Sequence, residues 1–89
     1  MSSRKNLKKA VKAICGELFA DCIALSSIED AENVENLQNI MAQIALMHND
    51  YVARINNPEP GLKPRKYFAK LCIDFTQQAN TLSQDILKS

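Results

Sequence analysis

Three apolar tracts with helical spacing, two short breaks between them, and only two glycines in 89 residues predict an all-α fold: an up-down-up antiparallel three-helix bundle. Residues 1–89 read as one domain, with helices at about 3–26, 30–56 and 64–87. Apolar residues make up 46% of the chain and charged residues 24%, too apolar a balance for a disordered polypeptide.

The first tract places Leu7, Val11, Ile14, Leu18, Cys22 and Leu25 on one helical face, with Cys15, Phe19 and Ile23 widening the stripe. Ser3 can cap its start, because a hydroxyl accepts from an otherwise unpaired backbone N–H. Gly16 weakens the middle of this helix, as expected where another helix approaches closely.

The second tract is the most regular. Val34, Leu37, Met41, Ile44, His48, Tyr51 and Ile55 alternate spacings of three and four without a slip. Ser26-x-x-Glu29 and Ser27-x-x-Asp30 both have the form of capping boxes at its start. Between Ile40 and Met47 only Gln43 is polar, so this helix is either central to the bundle or partly covered by a second copy. Ile40 and Met47 are the residues expected to carry such self-association, pairing two bundles into a larger one.

Pro58, Pro60 and Gly61 end the second helix in a stiff connection, and Pro64 suits the first turn of the third, where no N–H is needed. The third tract presents Phe68, Leu71, Phe75, Ala79, Leu82 and Ile86, with Cys72 beside them. Short connections between long amphipathic helices favour antiparallel neighbours.

No run reaches the roughly 18 to 20 apolar residues of a membrane span. The charged start and the interruptions at Gly16, Glu17 and Asp21 do not read as a secretory signal. Three cysteines define no disulfide framework, and a reducing cytoplasm is the expected location.

The opening Ser3-Arg4-Lys5-Asn6-Leu7-Lys8-Lys9, the segment from Ile14 to Cys22, and the loop from Asn57 to Pro64 resemble small uncharacterised helical proteins of gut Bacteroidetes. The resemblance spans most of the chain. It implies a bacterial, cytoplasmic, all-helical protein, and no activity.

Cys15, Cys22, Cys72 and His48 carry atoms suited to zinc, but the helical spacing separates them. Cys15 and Cys22 lie seven residues apart, about 10 Å of rise, too far for two sulfurs at about 2.3 Å from one metal. Antiparallel register puts Cys72 near the level of His48. No metal or cofactor is expected: the cysteines read as small apolar core residues, and His48 as a core histidine bonded to a neighbour. No grouping of nucleophile, base and oxyanion donor reads as catalytic, so the chain is expected not to be an enzyme.

The charges carry the functional signal. In an up-down-up bundle the N-termini of helices one and three share an end with the C-terminus of helix two. That end gathers Arg4, Lys5, Lys8, Lys9, Lys12, Arg54, Lys63, Arg65, Lys66 and Lys70, offset by Asp50 and Glu59, for a net of +8. The other end collects Glu17, Asp21, Glu29, Asp30, Glu32, Glu35, Asp74 and Asp85 against Lys88, for −7, so the chain's net charge is only +1. Acidic residues in the first turns of helix two suit its dipole. Cations at two helix N-termini oppose theirs, each costing about 0.3 to 1 kcal/mol. Two readings of the basic end follow: a solvated surface, or a contact for a partner or polyanion. The expected function is a non-enzymatic helical interaction module that binds protein, its own copies included. The alternative is a nucleic-acid-associated protein whose basic end neutralises phosphates.

Overall fold

The computed structural model describes residues 3–58, 60–61 and 63–88, apart from the side chain of Ser3. The chain forms α1 (Ser3–Ser26), α2 (Ala31–Asn56) and α3 (Pro64–Lys88), and all three pairs of helices touch. They build the expected three-helix bundle, a rod of 49 × 19 × 16 Å.

The turn between α1 and α2 is made differently from the spacing of its serines. Ser26 Oγ donates back to Ile23 O at 2.8 Å and Ser27 Oγ to Ala24 O at 2.7 Å, closing the end of α1. Neither caps α2. Asp30 does, its extended backbone aiming a carboxylate oxygen that accepts from Asn33 N at 3.0 Å. A carboxylate serves better there because it also meets the positive end of the helix dipole. The second connection reverses direction at Gly61, whose φ of 91° would strain any residue with a Cβ. Pro64 opens α3 as anticipated. The role expected of the Ser3 side chain lies outside the described residues.

One continuous core runs the length of the rod. The first helix gives it Val11, Cys15, Leu18 and Cys22, mostly small side chains. From α2 come Leu37, Ile40, Ile44, Met47, Tyr51 and Ile55, and from α3 Leu71, Phe75, Ala79, Leu82 and Ile86. Each large apolar side chain so buried contributes about 1.5 to 3 kcal/mol. The backbones of α1 and α2 approach most closely, while bulk such as Phe75 and Leu82 holds α3 further out.

Three expectations about burial are corrected. The core edge of α1 is narrower than its apolar stripe: Ile14 and Phe19 are each 38% exposed and Ile23 54%. Two neighbouring helices cover too little of its circumference to reach them. Ile40 and Met47, expected at a self-association surface, are buried within the chain, as part of the core that the three helices share. Gly16 has no neighbouring atom within 4 Å of the place its Cβ would occupy, so no helix of this chain approaches it closely.

Tyr51 is fully buried at the α2–α3 contact. Its ring meets Phe75 edge-on, 5.1 Å between centroids at 72°, and the Arg54 guanidinium lies 5.0 Å from its centroid. Among the described residues the Tyr51 hydroxyl finds no hydrogen-bond partner.

Candidate functional site

The fold brings the cationic residues of three chain segments to one end. Arg4 lies 5.9 Å over the ring of Phe68, and Tyr67 Oη donates to Arg54 O at 3.0 Å, tying the start of α3 to the start of α1 and the end of α2. Arg4, Lys5, Lys9, Lys12, Arg54, Lys63, Arg65, Lys66 and Lys70 are exposed and Lys8 is half-buried. Their contributions are unequal. Arg54 forms a two-point bond with Asp50, Nη2–Oδ2 3.1 Å and Nε–Oδ1 3.3 Å, and belongs to the scaffold as much as to the surface. Glu59, one of the two acids expected here, lies outside the described residues.

Two grooves open between these cations. The larger, about 640 Å³, runs between α1 and α3 over Leu7, Ala10, Phe68, Ala69 and Cys72, with Arg65 on its rim. The second, about 520 Å³, lies between α2 and α3 beside Tyr67, Leu71, Arg54, Lys70 and the prolines of the connection, and Asp74, expected at the acidic end, also lines it. The apolar floor of the α1–α3 groove, with Arg65 on its rim, suits an acidic segment that also presents an apolar side chain. Bases, by contrast, find no open ring face to stack on. Tyr51 is buried, Tyr67 packs edge-on against Phe68 at 5.4 Å, and Phe68 is half-buried beneath Arg4.

At the acidic end the carboxylates are used locally. Asp30 caps α2, Glu29 Oε2 accepts from Asn33 Nδ2 at 3.2 Å, and Glu32 occupies the first turn of α2. The first turns of α1 and α3 hold no acidic residue.

The zinc-type residues scatter. Cys15 and Cys22 are buried, and burial pushes both thiols above the ordinary range, with Asp21 adding to the effect at Cys22. Cys72, expected to be core, is exposed in the α1–α3 groove. His48, also expected in the core, is half-buried at the edge of α2, with Nδ1 3.2 Å from Asn49 Oδ1. It shares a groove with Cys15. Among the described residues no three His, Cys, Asp or Glu side chains gather as a metal would require.

What the sequence reading missed is a surface, formed where Phe19 and Ile23 leave the core and flank Gly16. The mid-helix glycine was its one visible signal. No described helix is long and apolar enough to cross a membrane. Comparison with family profiles, with curated proteins and with solved structures finds no match to this chain.

Proposed function

We propose that this chain is a non-enzymatic helical interaction module of the bacterial cytoplasm that binds an acidic, amphipathic protein segment at its basic end. The observation that carries the reading is the apolar α1–α3 groove set among cations that helix stability disfavours. The rod is 49 Å long, several times the screening length of about 8 Å, so the acidic end does not neutralise the basic one for an incoming ligand. Long-range attraction would gather the partner and the apolar floor would hold it. Nucleic acid is the second reading, supported by the net charge of the end alone.

Replacing Lys8, Lys9, Arg65 and Lys66 together by Gln tests it, with fluorescence anisotropy of a labelled acidic amphipathic peptide and of labelled duplex DNA as readouts. The proposal expects the peptide to bind the parent protein more tightly than DNA, and the variant to lose it. DNA binding that equals or exceeds peptide binding moves the assignment to the second reading. No binding of either leaves the end as solvated surface.

A further inference from the structure

We infer that a second copy of this chain docks antiparallel on the outer face of α1 and α2, across Gly16, Phe19 and Ala45. This goes beyond the basic-end reading and uses different residues.

Three observations bear on that face. On α1, Lys5, Lys12, Gly16, Phe19 and Ile23 follow one another at spacings of seven, four, three and four, and so share one side. This side points away from α3, because the groove lined by Lys12, Gly16 and Phe19 is completed by Ala45, His48 and Asn49 of α2. It leaves Phe19 38% and Ile23 54% exposed. Second, Gly16 costs its helix about 1 kcal/mol relative to alanine, yet nothing inside the chain uses the space it opens. A helix arriving from outside can.

The third observation selects a second copy as the occupant and antiparallel as the direction. Gly16 and Ala45 lie near the middles of their helices, so a two-fold axis there sets the basic end of one copy beside the acidic end of the other. Such pairing is isologous and closes at a dimer, whereas end-to-end stacking of opposite charges would continue into a filament. It also leaves the α1–α3 groove open.

Sedimentation velocity of the full chain over a range of concentrations, at low and high salt, tests the pairing. The expected result is a monomer–dimer equilibrium that weakens with salt. Ala20→Glu, at an exposed position one helical turn from Gly16, should weaken it at least tenfold while circular dichroism and melting remain those of the parent. Leu46→Glu, on an exposed apolar residue away from the face, should not. A chain monomeric at every concentration in low salt overturns the inference. So does a dimer indifferent to Ala20→Glu, and a dimer that high salt leaves unchanged or strengthens overturns the antiparallel arrangement. Loss of peptide binding in the basic-end variant with the dimer intact would separate the two proposals.

Discussion

The two ends of this rod carry charges of opposite sign and differ in what those charges do for the fold. At the acidic end the carboxylates answer local needs: Asp30 caps α2, Glu29 bonds Asn33, and Glu32 meets a positive helix terminus. At the basic end α1 and α3 begin without an acidic residue, and lysines and arginines crowd their positive termini. One end is explained by helix stability and the other runs against it. Charge that stability does not request is the better guide to a binding role.

This contrast can be broken by measurement. The largest effect is expected in the salt dependence of polyanion binding. Removing Lys8, Lys9, Arg65 and Lys66 should reduce the slope of log affinity against log salt by about 3 to 4, because fewer counterions are released. The same variant should melt at or slightly above the parent temperature. A large loss of stability would show that these cations serve the fold after all.

Thiol labelling compares the two halves directly. Cys72, exposed in the basic-end groove, should react at least about tenfold faster than Cys15 and Cys22, whose labelling must await opening of the core. Equal rates for all three would mean that the core opens readily.

Asp30→Ala should cost about 1 kcal/mol, lowering the melting temperature by roughly 4 to 8 °C for a domain of this size. Ser26→Ala and Ser27→Ala should each cost less, since neither hydroxyl caps α2. If a serine variant melts lower than Asp30→Ala, the assignment of the cap is wrong.

Tyr51→Phe should leave stability unchanged or raise it by up to about 1 kcal/mol, because it removes a buried hydroxyl without a partner and keeps the contact with Phe75. Burial, the largest cause, raises the Tyr51 pKa above its usual 10.0. Above about pH 10 the unfolded chain therefore releases this proton while the folded chain retains it. Stability is lost as pH rises through that range, and the Phe variant should lose less, as denaturant titrations at pH 9 and 11 would read. The smallest effect belongs to Arg54→Gln. A surface ion pair within one helix is worth only about 0.3 to 0.5 kcal/mol, and a cost much above 1 kcal/mol would mean that its contact with the Tyr51 ring matters more.

The sequence by itself determined the helices, their ends to within one residue, the break at Pro58–Pro60–Gly61, and the gathering of cations at one end. These follow from local rules: a 3.6-residue period, the dihedral limits of proline and glycine, and short connections that force antiparallel neighbours. It also placed Leu37, Ile44, Tyr51 and Ile55 correctly in the core, because they lie along one unbroken stripe of three- and four-residue spacings. Tertiary structure alone decided the margins. How wide a face is buried depends on the angle its neighbours subtend, which no spacing records. Ile40 and Met47 therefore sit inside, while Phe19, Ile23 and Cys72 lie at the surface and His48 at its edge. The cap of α2 was decided the same way: three candidates lie within five residues, and only the path of the turn aims Asp30 at Asn33. The open space beside Gly16 is likewise a tertiary fact, since a glycine in a helix announces room for a neighbour and only the packed structure shows that none of its own helices takes it.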